Sequence, residues 1–362
     1  EHEVDHYHDG VFEEATDVDV ACGWMLLGGI IFVMVLFYLL NWKDDDIRRF
    51  SWSILNTTVS IFTAVLVFSG FESYLMHILI EHSMIDMHSP WFPLVPYTLF
   101  MFWFSAMRIA LSWNAHAWWP DADTGLDKSE WVVADPLLAK FGDTVSEQLI
   151  RNPGMEKSVA TVNGVEVFVR KKASERELRQ TRTRCWGTLY AHMTGFAAIK
   201  AGGVLQQNSF FGSSPPMAAL AVFVNAGIVL LVFSGYSLLF VADRHDRKNK
   251  GRRESMKMRD EELAEAEDDA MSLAVSFLWV QAMRFAITGT LPGPEGVEEP
   301  EFSMPSGCIL SLFALGMLSA ASAVWLINYH RSRAVEILQN TLAMSFAWCF
   351  LSATRWFAVE FE

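Results

Sequence analysis

The chain has 362 residues, 52% of them hydrophobic, and a formal net charge of −14. Those totals alone would suit two or three soluble domains, but apolar stretches of about 20 residues, long enough at ~1.5 Å per residue to cross a ~30 Å hydrocarbon core, recur along nearly the whole sequence. This distribution excludes an ordinary soluble enzyme and predicts an all-α, polytopic membrane protein with no nucleic-acid partner.

In chain order, an acidic segment, 1–19, precedes the first apolar run at 20–41, and runs at 52–80 and 94–118 complete three transmembrane helices within 20–118. Residues 119–185 form a soluble insertion. Its Asn163-Gly164 pair, set between β-branched runs at 161–162 and 165–169, predicts a hairpin with a two-residue turn. After it, 173–184 reads as a charged helix that feeds the fourth span. Spans at 186–206 and 216–242 occupy 186–242, and a charged loop, basic and then acidic, fills 243–269. Runs at 270–290, 305–328 and 337–359 supply the last three helices, within 270–362.

Charge assigns the sides. Of the 28 Lys and Arg residues, 24 fall in the loops at 42–51, 119–185, 243–269 and 329–336, and the other five hydrophilic segments hold none. Strict alternation of this kind is what positive-inside insertion demands of an even number of spans, here eight, with both termini on the outer or lumenal side. The outer face then carries 16 acids and no base, a field that gathers cations and repels anions. Exclusion of Lys and Arg from outer loops would leave the same acidity without any function. The inner bases at 244–259 can hold anionic lipid headgroups, although a solvated face is the commoner role of such a run.

Counting Asp, Glu, Lys and Arg alone, five side chains fall inside the spans: Glu72, Arg108, Lys200, Arg284 and Arg355. Each costs about 2.5–3.5 kcal/mol at a span centre unless it finds a partner or water. Counted along their helices, Arg108 lies near the midplane, while Glu72, Lys200, Arg284 and Arg355 share the outer half, where Glu72 is the one acid within the spans. A functional reading makes the bases an ion path or binding layer in which a small ion supplies the missing charge. Ser69, Ser105, Thr194, Asn225, Ser234 and Gln281 would extend such a site. The structural reading pairs Glu72 with one base, ties the others to carbonyls or the interface, and leaves the polar residues as interhelical hydrogen bonders.

Two string pairs, Ser105–Arg108 with Gln281–Arg284 and Val67–Gly70 with Val232–Gly235, suggest an inverted three-helix repeat. Cys22 and Cys308, just inside the outer ends of their spans, are placed to bridge if the first and seventh helices touch. The histidines lack matched depths for a haem, the arginines lack the every-third spacing of a voltage sensor, and no catalytic motif or resident cofactor is indicated. The sequence therefore points to an ion channel or transporter, and otherwise to a non-transporting, non-enzymatic subunit of a membrane complex or homo-oligomer. In a variant whose four native cysteines are serine, Ser89→Cys is expected to react with an impermeant maleimide from the outer side alone, and Asn249→Cys from the inner side alone. Labelling of both from one side would refute the orientation.

Overall fold

The computed structural model describes residues 17–42, 44–81, 94–118, 131–133, 159–162, 165–171, 175–239, 254–296, 304–329 and 332–359. Residues 1–16 and most of the loops at 119–185 and 243–269 lie outside these. Among the described residues there are eight α-helices: α1 (Asp17–Leu40), α2 (Asp45–Glu81), α3 (Leu94–Asn114), α4 (Glu175–Gln206), α5 (Pro215–Leu239), α6 (Glu254–Thr288), α7 (Ser306–Leu326) and α8 (Arg333–Val359). Each overlaps one of the eight expected runs, but α4, expected to span at 186–206, is not among those long and apolar enough to cross a membrane. Six of them, α2, α3 and α5 to α8, are long and apolar enough to cross a membrane, and the described apolar part of α1, Leu26–Leu40, is shorter.

Local chemistry sets several helix ends. Asp44 accepts the Ile47 amide at 3.2 Å and opens α2, and the Ser332 hydroxyl accepts the Val335 amide at 3.4 Å and opens α8. Pro215 starts α5, where its missing N–H removes no helical bond. At the end of α6 the Gly289 amide bonds back to Phe285 O at 2.8 Å with φ of +76°, the left-handed cap that glycine adopts most readily.

The predicted strand pair is present: β2 (Val159–Val162) pairs antiparallel with β3 (Val165–Lys171), and Val162 faces Val165, while the expected turn residues Asn163 and Gly164 lie outside the described residues. A short strand, β1 (Trp131–Val133), adds to the other edge of β3, giving the order β1-β3-β2. The expected charged helix at 173–184 is the N-terminal part of α4, and the acidic half of the 243–269 loop is the N-terminal part of α6.

The chain divides into two compact units, 1–59 and 60–362. The first holds α1 and the start of α2, and its described α1 side chains, such as Leu26, Ile30 and Phe32, are exposed. In the second, α6 is the common neighbour, packing on α3, α4, α5, α7 and α8. Among its described residues Phe100, Phe104 and Met107 of α3, Ala197 of α4, Phe233 of α5 and Ala274 of α6 pack together in one buried cluster. Ion pairs also sort the helix ends. Arg184 with Glu265 at 2.7 Å, and Arg333 with Asp268 at 2.7 Å, join the N-terminal parts of α4 and α8 to that of α6, so these three helices run in the same sense.

Small residues let α4 approach α6. A Cβ on Gly195 would stand 2.7 Å from Leu273 Cδ2, and one on Gly202 would collide with Leu278 Cδ1. Gly195→Leu is therefore expected to cost about 1–3 kcal/mol and lower the Tm in detergent, whereas Gly227→Leu, at a glycine with nothing within 4 Å, should leave it nearly unchanged. Equal shifts would contradict this packing.

Candidate functional site

Three of the charged side chains converge where the C-terminal ends of α2 and α4 meet the loop after α6. Lys200 Nζ lies 3.1 Å from Glu72 Oε1 and donates to Glu295 Oε1 at 2.8 Å. The Glu72 side chain is 18% exposed, Lys200 22% and Glu295 73%, so one ammonium links a carboxylate inside the bundle to another at its surface. Counting only acids within the spans makes Glu72 the sole counter-ion. The structure corrects this with Glu295, which reaches back from a loop.

That loop, Leu291 to Gly296, forms a strap across the ends of α4 and α6. Gln207 Nε2 donates to Pro292 O at 2.6 Å, Gln281 Nε2 to Gly293 O at 3.1 Å, and Arg284 Nη1 to Gly296 O at 3.0 Å. Three backbone carbonyls of a Pro- and Gly-rich turn are thus satisfied by side chains of the helices beneath it. Gly203 makes the close approach feasible, since a Cβ there would lie 2.8 Å from Pro294 O. Gly296 has φ of +78°, and a Cβ on it would meet Phe277 Cζ at 2.7 Å, so conformation and space both call for glycine.

The other bases are held elsewhere. Arg284 is buried, 3% exposed, with its guanidinium 5.5 Å over the Trp356 ring as well as bonded to the strap. Arg108 belongs to a different group: Nη1 is 3.4 Å from Glu267 Oε1 of α6, and the guanidinium carbon lies 5.6 Å from the Phe104 ring centre and 5.7 Å from that of Tyr236. Glu267 falls just outside the apolar run at 270–290, where a count of in-membrane acids does not look. Arg355 is half-buried on α8 and has interactions of its own. The structure thus places Arg108 in a different group from Lys200 and Arg284, rather than gathering the bases around one site.

Of the supporting polar residues, Gln281 alone belongs to the strap contacts. Asn225 accepts from the Tyr97 hydroxyl at 2.9 Å and donates to Ala198 O, Thr194 donates to Met107 Sδ at 4.0 Å, and Ser105 bonds the Tyr236 hydroxyl at 2.8 Å. Ser69 and Ser234 are exposed on the bundle surface, away from any such site. The matched Ser105–Arg108 and Gln281–Arg284 strings make unlike contacts, one at Glu267 and the other at the strap. Cys308 is a free thiol directed at Ile287 O, 3.9 Å away, rather than half of a bridge, and the Cys22 side chain lies outside the described residues.

No family model, curated protein or solved structure matches this chain. The class rests on its own physics: helices long and apolar enough to cross a bilayer fit a multi-pass integral membrane protein.

Lys200, by donating a hydrogen bond to it, holds the Glu295 carboxyl below its ordinary value. A depressed carboxylate keeps its contact at neutral pH and loses it only as pH falls through the lowered value. A ¹³C titration of Glu295 in nanodiscs should show this, with Lys200→Gln returning the midpoint toward that of a free Glu; an unmoved midpoint would contradict the pair. Gly203→Ala should push the strap off α4, read as greater reactivity of a cysteine at Pro294 toward an impermeant thiol reagent.

Proposed function

We propose that this chain is a non-transporting, non-catalytic structural subunit of a membrane assembly or homo-oligomer. One observation carries the reading: Arg108, Lys200 and Arg284 each spend their charge on groups of the protein itself. Glu267 takes the first, Glu72 and Glu295 the second, and Gly296 O with Trp356 the third. Two of the three cations thus meet carboxylates of the chain itself and the third a carbonyl dipole and an aromatic face, which lessens what a passing ion would have to supply. The aromatic filling between α3, α5 and α6 supports the same conclusion, because a conducting path needs polar or water-filled space there. In this role the buried pairs fix helix register and neighbour choice.

A second reading, transport of a small ion, has its own support in the half-buried Lys200, which sits between an inner and an outer carboxylate on a face rich in acids. The two readings part in one assay. Purified protein in liposomes is expected to pass chloride, potassium and protons no faster than protein-free vesicles do, and in mild detergent it should run as a homo-oligomer or with co-purified membrane proteins. Flux that exceeds the background and changes with Lys200→Gln would overturn the structural reading in favour of transport, and a lone monomer would count against an assembly role.

A further inference from the structure

α3 ends in a turn of unusual composition. The Ala117 amide bonds back to Ser112 O and the His116 amide to Trp113 O, both at 3.0 Å, and His116 has φ of +55°. This pattern closes a helix with one left-handed residue, a place where glycine is the common choice and a side chain is costly. α4 passes alongside, since a Cβ on Gly187 would stand 3.4 Å from Leu111 of α3. Toward the start of α4, Arg179, Arg182 and Trp186 follow at steps of three and four, which puts them on one face of the helix. Both arginines act on the His116 imidazole: after burial they are what holds it below its ordinary value, opposed among the described residues by Glu175 alone. Arg176, Arg179 and Arg184 each reach a carboxylate, at 3.1, 3.5 and 2.7 Å, whereas the exposed Arg182 has no ion pair among the described residues. Aromatic rings flank the group. Trp113 and Trp118 are exposed and meet edge to face with 6.2 Å between centres, and the exposed Trp186 stacks on Tyr190 at 5.9 Å.

We infer that Arg182, with His116 and Arg179 beside it, holds the phosphate of one anionic phospholipid at the membrane face from which residues 119–185 emerge. The level is that of headgroups: the membrane-length part of α3 ends at Asn114, and tryptophans gather where hydrocarbon meets water. Two arginines and an imidazole against one carboxylate leave positive charge that a phosphate diester matches, and an arginine fork can offer it two parallel hydrogen bonds. The adjoining sequence adds three bases, Arg170, Lys171 and Lys172, and two acids, Asp121 and Asp123, which does not reverse that sign. The left-handed turn places an imidazole beside the arginines where glycine would leave none. A bound phosphate offsets the repulsion on that ring, so His116 gains charge as the lipid binds. Free phosphate would use the cations without the tryptophans. The site lies on α3 and α4, not on the basic run at 244–259, and the inference holds whether or not the chain transports ions.

Native mass spectrometry of the full chain after incubation with palmitoyl-oleoyl phosphatidylglycerol, palmitoyl-oleoyl phosphatidylcholine or inorganic phosphate, each alone, tests this. One phosphatidylglycerol is expected to survive detergent stripping where phosphatidylcholine does not. Arg182→Gln should lower the retained fraction about tenfold and Arg182→Lys by less, while Arg176→Gln, at a nearby arginine that already has Glu254, should leave it unchanged. His116→Gly should raise the lipid-free Tm, because glycine suits the turn, and yet weaken retention. Retention untouched by Arg182→Gln, or lost equally with Arg176→Gln, would overturn the site, and retention untouched by His116→Gly would overturn the part of the imidazole. Phosphatidylcholine held as well as phosphatidylglycerol would overturn the anionic headgroup. Inorganic phosphate bound through Arg182 with no lipid retained would overturn the lipid as occupant.

Discussion

An ionised side chain inside hydrocarbon must bring its own counter-charge or acceptors, because lipid tails offer neither. Much of the larger unit can be understood as the answer to that demand. Lys200 draws the end of α2 and the strap together, since its one ammonium reaches a carboxylate on each. Arg284 adds a third tie by donating to the strap backbone, so the same loop that screens one base also quenches another. At the opposite end Arg108 and Arg333 approach the two carboxylate oxygens of Glu267, which places one acid between α3, α6 and α8.

These ties share a single helix as their frame. α6 supplies Glu267 and Asp268 at one end and Gln281 and Arg284 at the other, and the core of the unit packs against it along its length. The glycines of α4 belong to the same design. Without a side chain at Gly195 and Gly202 the backbones come close enough for Leu273 and Leu278 to fill the seam, and Gly203 continues that closeness into the strap. Packing and charge placement therefore reinforce one another, which is the arrangement of a bundle built to keep one shape.

Much of the fold was legible in the sequence because hydrocarbon thickness imposes a length on apolar runs. Each run fell within one helix, six of those helices being long and apolar enough to cross a membrane, and Val162 pairs with Val165 as the Asn-Gly signal between them leads one to expect. Strand β1 was not legible, since three residues carry no periodicity. The candidate site was only partly so. Glu72, Lys200, Arg284 and Gln281 were marked by their cost in lipid, yet their partners were not, because Glu295 and Glu267 lie outside the apolar runs and carry no such cost locally. Ser69 and Ser234 show the other limit. A span that is apolar all round gives no sign of which face turns inward, so polar residues on the outer surface look the same as those at the core.

The length of α6 has a mechanical consequence. At 35 residues it extends roughly 52 Å, well beyond the thickness of the hydrocarbon slab, and its first turns project on the side opposite the strap. A rigid rod anchored in this way behaves as a lever. A load on its protruding end would be taken up along the whole rod, by the five helices packed on it and by the Gln281 and Arg284 contacts to the strap at its far end.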